Sequence, residues 1–250
     1  MRIAVISDIH GNLDALFSVL ADIKNNSCEK IFCLGDLAMA GPEPSLAISE
    51  IQNLMRSDDF TLIQGNTDLY LSEYSQELVD ILNEHNKIMA NAYEADMKDL
   101  SDSDKKFLAS LPEKHEVKIG NTKILLVHGS PRKNNENISP NLPIEEVEEM
   151  IKDTDADLIL CGHTHIPCGY QTNSNQTVVN VGSVGRPFSE NPKSCYAVID
   201  FSDDYKSFDI EHKFVQYDFK SAGEKLVKRG FDGAEKLAHM LEKATDRYPH

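Results

Sequence analysis

The sequence is poor in basic residues and has no apolar run long enough to cross a bilayer. Its 250 residues include 25 lysines and arginines against 41 aspartates and glutamates, which gives a formal net charge of -16. A chain with this charge repels nucleic acids and anionic membrane surfaces, so a polymeric nucleic-acid substrate and a membrane partner are disfavoured. A predicted strand begins at Arg2, which leaves no room for a signal peptide and favours a cytoplasmic protein.

Cysteine is scarce, and its pattern disfavours a zinc site built from thiolates. The five cysteines are an odd number and no two have C-x-x-C spacing, so we expect free thiols in a reducing compartment. The chain also lacks internal repeats, low-complexity tracts and linkers between domains. A length of 250 residues then favours one domain that covers residues 1–250.

The first part of the chain predicts a β-α-β unit with polar residues at the end of each strand. Apolar runs at residues 2–7 and 30–34 are typical of buried parallel strands, and apolar residues at helical spacing lie between them. The first strand is followed by Asp8 and His10, and the second by Asp36. Residues just past the carboxyl ends of parallel strands meet in one crevice, so we expect these three side chains to lie close together.

Three later strands are followed by further polar residues of the metal-binding type. Predicted strands at residues 60–63, 122–127 and 157–161 lead to Asn66, to His128 and to the pair His163 and His165. Alternate residues of an extended segment point the same way, so the last two histidines would face one point if their segment stays extended. These strand ends would therefore contribute to the same crevice.

The strand ends together present two carboxylates, one amide oxygen and four imidazoles. The seven residues are Asp8, His10, Asp36, Asn66, His128, His163 and His165. This mixed set of nitrogen and oxygen donors suits manganese, iron, zinc or nickel rather than calcium or magnesium alone. Because seven donors exceed the needs of one ion, we predict two divalent metal ions, with a carboxylate such as Asp36 able to bridge them. Two metals about 3.5–4 Å apart can deprotonate a shared water and clamp a phosphoryl group.

The rest of the chain predicts further strands and helices around an α/β core. Residues 69–111 lack strand patterns and have apolar residues at helical intervals, which predicts a mostly helical insertion over one side of the crevice. Two hairpins are expected at residues 115–127 and 166–181, each around a polar turn. Two more strands follow, and C-terminal helices are predicted at about residues 218–243.

The polar motifs resemble those of the calcineurin-like metallophosphoesterase superfamily. They are, in order, Asp8-x-His10, Gly35-Asp36, Gly65-Asn66, His128-Gly129 and Gly162-His-Thr-His165. Residues 127–132 and 180–184 are similar to the small bacterial and archaeal phosphodiesterase branch of that superfamily. The resemblance implies a four-layer αββα sandwich, with a dinuclear metal site at its strand-end face and the helical insertion beside it.

The resemblance also implies a role for each motif residue. One metal would be bound by a carboxylate and two histidines and the other by an amide and two histidines: Asp8, His10 and His165, and Asn66, His128 and His163. Asp36 would bridge the ions, and a bridging hydroxide would attack phosphorus while Asn66 helps to orient the phosphate. Manganese is the ion that we expect to support activity best.

One position departs from the family pattern. Many members have a histidine directly after the metal-binding asparagine, thought to protonate the leaving oxygen, and here that residue is Thr67. A threonine hydroxyl cannot act as a general acid near neutral pH. Either Thr67 is a variant that the small phosphodiesterase branch tolerates, or the enzyme prefers leaving groups that need little protonation. Asn66 and Asp68 are the candidate catalytic residues, and Asp68 or a metal-bound water is the alternative acid.

Arg132 is the candidate substrate-binding residue, because its planar guanidinium fork suits a phosphate. Pairing with one of the many carboxylates is the alternative role for this arginine. The remaining histidines have no matching partners and are interpreted as ordinary structural or surface residues: His85, His115, His212, His239 and His250.

The sequence therefore predicts a cytoplasmic phosphodiesterase that hydrolyses a small organic phosphate or nucleotide with two divalent metal ions. Hydrolysis of a dinucleoside polyphosphate or of a phosphoprotein by the same centre is the alternative enzymatic function. A metal-stabilised binding scaffold is the alternative of another class, since a retromer subunit with this fold is thought to work through its surface. All seven expected ligands are present, which favours catalysis.

Overall fold

The structure is a computed structural model that describes residues 1–205 and 207–245 of the chain. The strands, in chain order, are β1 (Arg2–Ile6), β2 (Lys30–Cys33), β3 (Phe60–Leu62), β4 (Lys114–Ile119), β5 (Thr122–Val127), β6 (Leu158–Cys161), β7 (Cys168–Gln171), β8 (Thr177–Asn180), β9 (Lys193–Phe201) and β10 (Phe208–Gln216). The helices are α1 (Leu13–Asn25), α2 (Pro44–Leu54), α3 (Asn66–Ser72), α4 (Gln76–His85), α5 (Lys87–Asp99), α6 (Asp102–Ala109), α7 (Ile144–Ile151), α8 (Phe219–Lys228) and α9 (Ala234–Lys243). Over the described ranges, no helix has the length and apolar character needed to cross a membrane.

Five strands form a first sheet in the order β10-β9-β1-β2-β3. Strand β1 is parallel to β2, and β2 to β3, whereas β9 runs antiparallel to β1. Helix α1 connects β1 with β2, so the predicted parallel β-α-β unit is confirmed. Four of the five residues of β1 are buried, as expected of a strand with a continuous apolar run.

The other five strands form a second sheet in the order β4-β5-β6-β8-β7. Strands β5, β6 and β8 are parallel to one another, while β4 and β7 pair antiparallel with their hairpin partners. Both predicted hairpins are thereby confirmed. In each sheet, the carboxyl ends of neighbouring parallel strands lie side by side, and this edge carries the candidate ligands.

The two sheets pack face to face, and helices cover their outer faces. The central core combines apolar residues of both sheets: Ile3, Val5, Phe32 and Leu34 from the first, and Ile124, Leu126, Leu158, Leu160 and Val179 from the second. A second apolar cluster joins the outer face of the first sheet to α1, α2, α5, α8 and α9. A third cluster joins the outer face of the second sheet to α7. The predicted αββα architecture is therefore confirmed.

The residues predicted as a helical insertion form four helices, α3 to α6. The first of them begins at Asn66, before residue 69, where the insertion was predicted to begin. Helix α5 buries Tyr93 and Met97 in the same apolar cluster as the outer face of the first sheet. The insertion reaches the strand ends, because Asn86 and Met89 at the start of α5 line a cavity over them.

Candidate metal centre

Five of the seven candidate ligands lie in sharp turns of the backbone. Positive φ values between 47° and 69° are found at Asp8, His10, Asp36, His163 and His165. This left-handed conformation costs about 1–3 kcal/mol for a residue other than glycine, although Asp and His adopt it more readily than most. Hydrogen bonds between strand ends hold the turns: the Asp8 N–H donates to the Gly35 carbonyl and the His10 N–H to the Asp36 carbonyl, both at 3.0 Å.

The segment with His163 and His165 is not extended, so the condition under which both would face one point is not met. Both residues are left-handed, and their rings belong to different ligand groups. The His163 N–H donates to Oδ2 of Asp8 at 3.1 Å. A Cβ atom on Gly162 would lie 2.1 Å from the Ser7 Oγ atom. The segment therefore turns sharply because it passes directly over the end of β1.

The candidate ligands come together as two groups at the strand ends. The members are Asp8, His10 and His165 in one group, and Asp36, His128 and His163 in the other. Oδ2 of Asp36 lies 3.3 Å from Nε2 of His128 and 3.7 Å from Nε2 of His10, so it stands between the groups. The first group is the set that the resemblance implies for one metal, and the second contains the two histidines expected for the other metal together with Asp36, which the resemblance implies as a bridge. Metal binding by these residues stays a prediction.

Backbone carbonyls fix which ring nitrogen of three histidines faces the centre. The contacts are His10 Nδ1 with the Met39 carbonyl at 3.0 Å, His128 Nδ1 with that of Leu34 at 2.8 Å, and His165 Nδ1 with that of Arg186 at 2.6 Å. A carbonyl oxygen only accepts, so each Nδ1 carries a hydrogen and Nε2 is the ring nitrogen that faces the centre. The Nε2 atoms of His10 and His165 lie 3.1 Å apart. Two lone pairs this close fit a cation between them.

Three buried polar atoms at the centre have no hydrogen-bond partner within the described part of the chain. They are Oδ1 of Asp8, Oδ1 of Asn66 and Nε2 of His128. An unsatisfied buried polar atom costs about 1–3 kcal/mol, so each of them needs a partner. All three have the oxygen or imidazole chemistry that divalent transition metals bind. The residues of the centre therefore fit two divalent cations.

Burial and the neighbouring charges set the protonation of the metal-free centre. Burial lowers the pKa of His10 to about 4, with the neighbouring His165 acting in the same direction, and burial also lowers the pKa of His163. Burial opposes ionisation of Asp36, but His128 outweighs it and holds the Asp36 pKa below its usual range. Burial likewise lowers the pKa of His128, but Asp36 outweighs it and raises that pKa to about 10. Without metal, the centre therefore holds a proton on His128.

Metal loading is expected to release the proton that His128 holds. Because the pKa of this ring is about 10, it is protonated near neutral pH, and a metal that uses Nε2 must displace the proton. We expect about one proton released per chain from this residue, and an Mn²⁺ affinity that rises by up to about tenfold per pH unit above neutrality. Titration calorimetry in buffers of different ionisation enthalpy measures both quantities. An affinity that does not change with pH would contradict the expectation.

Asp68 lies beneath the centre, away from the cavity. Its carboxylate is fully buried and accepts backbone N–H groups from Asp36 and Gly65 at 2.8 Å and from Leu37 at 2.9 Å. Burial, together with the charge of Asp36, raises the pKa of Asp68 to about 7. The three N–H groups belong to the turns that carry Asp36 and Asn66. Asp68 thus holds the backbone under two candidate ligands.

A cavity of about 290 Å³ opens over both ligand groups. Besides candidate ligands, it is lined by residues from several parts of the chain: Thr67, Asn86, Met89, Arg186, Phe188 and Met240. The Phe188 ring stacks on His165 with the centroids 4.5 Å apart, and the guanidinium of Arg186 lies 5.5 Å from the Phe188 centroid. The cavity therefore places a cationic group and an apolar wall next to the candidate ligand atoms.

Arg132, the candidate substrate-binding residue, contacts a carboxylate. Its Nε and Nη2 atoms each lie 2.7 Å from an oxygen of Glu136, and it is not among the described residues that line the cavity. A contact of Arg132 with substrate stays a prediction. The arginine in the cavity is Arg186, which the sequence analysis did not single out, although it lies two residues after the family-like residues 180–184.

The other histidines lie outside both ligand groups, as far as the structure describes them. The Nε2 atom of His212 contacts the carbonyl of Asn180 at 2.8 Å, which is a structural role. His250 lies outside the described residues. All five cysteines are described, and all are free thiols.

Comparison with known proteins assigns the chain to a family. The Calcineurin-like phosphoesterase superfamily domain matches residues 1–204. The chain belongs to this superfamily, and the family predicted from the strand-end motifs is confirmed. An uncharacterized protein of Methanocaldococcus jannaschii is 35% identical over 240 residues, which are 90% of this chain and 92% of that protein.

Two solved structures share the fold over nearly the whole chain. A metallophosphoesterase from Sphaerobacter thermophilus has a TM-score of 0.76 at 24% identity, with 98% of this chain and 100% of that chain covered. A hypothetical protein from Pyrococcus horikoshii has a TM-score of 0.85 at 23% identity, with 96% and 97% covered. The same fold, with comparable chain length, therefore occurs in proteins of low sequence identity.

Proposed function

We propose that the protein is a phosphodiesterase that hydrolyses a small organic phosphate or nucleotide with two divalent metal ions, of which manganese is the most effective. The observation that supports this is the convergence of two ligand groups, with buried atoms that lack hydrogen-bond partners, beneath a cavity of about 290 Å³. When bound, the two cations would activate water and neutralise charge on the phosphate.

The residues of the chain would place the cations and orient the phosphate. One cation would be held by Asp8, His10 and His165, and the other by Asn66, His128 and His163, with Asp36 shared. The carbonyl contacts at Nδ1 keep the Nε2 atoms of three histidines turned toward the centre. Arg186 lines the same cavity, and its positive charge would meet a substrate phosphate there.

The size and charge of the protein favour a small substrate. A cavity of about 290 Å³ lies just below the range of about 300–1,000 Å³ that is usual for small-molecule sites. The net charge of -16 offers little attraction to a polyanionic chain. A small phosphate ester fits these properties better than a nucleic-acid polymer or a phosphoprotein does.

Turnover of matched aryl phosphate diester and monoester substrates tests the proposal. Protein that is stripped of metal and reloaded with Mn²⁺ should hydrolyse the diester faster than the monoester, and the stripped protein should hydrolyse neither. Separate loading with zinc, iron or nickel would rank the ions. If protein with two metals per chain turns over neither ester, nor a dinucleoside polyphosphate, nor a phosphopeptide, the proposal fails and a binding scaffold is favoured.

A further inference from the structure

A buried ion pair joins the helical insertion to the C-terminal helices near His10. Asp96 on α5 is fully buried, and Arg229, directly after α8, has 8% of its side chain exposed. The Nη1 atom of Arg229 lies 2.6 Å from Oδ1 of Asp96. Burying two charges is costly unless both are well satisfied, so a buried pair is by itself weak evidence of added stability. The contacts of the pair with the neighbouring backbone indicate what the pair does.

The ion pair holds a turn formed by residues 38–41. Oδ2 of Asp96 accepts the N–H of Ala40 at 2.8 Å. The Nη1 atom of Arg229 donates to the carbonyl of Gly41 at 2.8 Å. The carboxylate and the guanidinium therefore fix the two ends of the Ala40–Gly41 dipeptide, and the attraction between them keeps both in place.

The same turn orients the ring of His10. The carbonyls of Ala38 and Met39 lie 3.2 and 3.0 Å from Nδ1 of His10 and receive its hydrogen. The turn is strained, since Met39 and Ala40 have φ values of 77° and 60°, a conformation that such residues keep only where the surroundings enforce it. A Cβ atom on Gly41 would lie 1.5 Å from the His10 carbonyl oxygen, so the turn packs directly on His10.

We infer that Asp96, held by Arg229, is a positioning residue for His10. Through the turn of residues 38–41, it keeps the His10 ring in the tautomer and orientation that metal binding by Nε2 requires. The effect on metal binding rests on the proposed function, whereas the tautomer of His10 is a property of the metal-free chain. Outer partners that orient a metal ligand typically contribute about 10- to 100-fold to metal affinity.

Asp99 offers a matched control on the same helix. Its carboxylate also pairs with Arg229, with Nη2 and Oδ2 2.7 Å apart, but its side chain is 53% exposed. None of the contacts described for its side chain is with residues 38–41. Replacing Asp99 removes one charge from the same arginine and leaves the bond between Asp96 and Ala40 in place. The difference in His10 tautomer and Mn²⁺ affinity between Asp96→Ala and Asp99→Ala therefore measures the effect of the contact between Asp96 and the turn of residues 38–41.

NMR of the metal-free full chain with ¹⁵N-labelled histidine reports the tautomer of His10. The carbonyls of Ala38 and Met39 accept the hydrogen on Nδ1 of this ring, so the geometry defines the tautomer expected in wild type. Wild type and Asp99→Ala should show the hydrogen on Nδ1, whereas Asp96→Ala should show a mixture of tautomers. In Mn²⁺ titrations, Asp96→Ala should weaken one of the two sites by about 10- to 100-fold, and Asp99→Ala should leave both unchanged.

The possible outcomes separate this inference from the proposed function. A lower melting temperature of Asp96→Ala, with an unchanged tautomer and unchanged Mn²⁺ affinity, would overturn the inference and leave a purely structural ion pair. If wild type binds no Mn²⁺, the proposed function fails, while the tautomer comparison still decides the role of Asp96. If Asp96→Ala does not fold, Asp96→Asn keeps the shape, removes the charge that fixes Arg229, and should shift the tautomer in the same direction.

Discussion

The Asp36→Asn protein is expected to lose more than about 100-fold of its diester turnover and to bind metal more weakly. Oδ2 of Asp36 lies within 3.3 Å of Nε2 of His128 and 3.7 Å of Nε2 of His10, so it faces both ligand groups. Outer partners of metal ligands typically contribute about 10- to 100-fold to affinity or activity. A carboxylate that faces both groups directly should exceed that range, because its loss removes negative charge from both.

The same change at an exposed carboxylate provides the control. Asp155 is 85% exposed and pairs with Lys123, so Asp155→Asn should leave turnover and metal content unchanged. An asparagine at position 36 keeps an oxygen for the Thr67 N–H, which donates to Oδ1 of Asp36 at 2.9 Å, so the turn should survive. The measurement is kcat/KM for the aryl diester with metal content per chain. Undiminished turnover by Asp36→Asn would refute the role of a shared ligand.

Turnover of phosphate diesters is expected to fall steeply as the leaving group becomes more basic. The Thr67 hydroxyl donates to the carbonyl of Ala38 at 3.4 Å and has no useful pKa for proton transfer. Asp68 is occupied by three backbone N–H groups beneath the centre. A positioned general acid contributes about 10²–10⁴-fold to the rate. Without one, the ratio of aryl to alkyl diester turnover should be larger than the same ratio for the uncatalysed reactions.

Thr67→His is expected to reduce this dependence on the leaving group. Position 67 lines the cavity, where an imidazole could donate a proton to the leaving oxygen and raise turnover of the most basic leaving groups by about 10²-fold. Aryl diesters with acidic phenols should change little. Thr67→Gln adds similar bulk without a titratable group and serves as the control. A flat dependence in wild type would instead point to another acid, such as a metal-bound water.

The sequence of residues within each short segment was sufficient to predict where the candidate centre lies. An apolar run that ends in Asp8 or in Asp36 predicts both a buried strand and a polar group at its carboxyl end, and the parallel pairing of β1 and β2 then brings the two together. The same reasoning placed His128 after β5. The conformation of the H-x-H segment could not be predicted this way, because its bend depends on the contact of His163 with Asp8, a residue far away in the sequence.

Contacts between side chains and the backbone of distant turns could not be predicted from the sequence either. Asp68 resembles a catalytic carboxylate in the sequence, but its three partners are N–H groups, and these carry no sequence pattern. Arg186 and Met240 line the cavity from segments that no spacing connects. The contact of Arg132 with Glu136, by contrast, is the carboxylate pairing that the sequence had suggested as the alternative role of this arginine.

The candidate ligands and the cavity walls are carried by different kinds of segment, and this has an evolutionary consequence. Five of the seven candidate ligands occupy left-handed turns at strand ends, where few residue types are tolerated. Met89 and Met240, in contrast, belong to helices α5 and α9, outside the strand ends. Mutations in those helices can reshape substrate choice while the inherited chemistry is preserved. Lineages that keep this chain's turns and diverge at positions such as 89 and 240 should therefore be the ones that acquire new substrates.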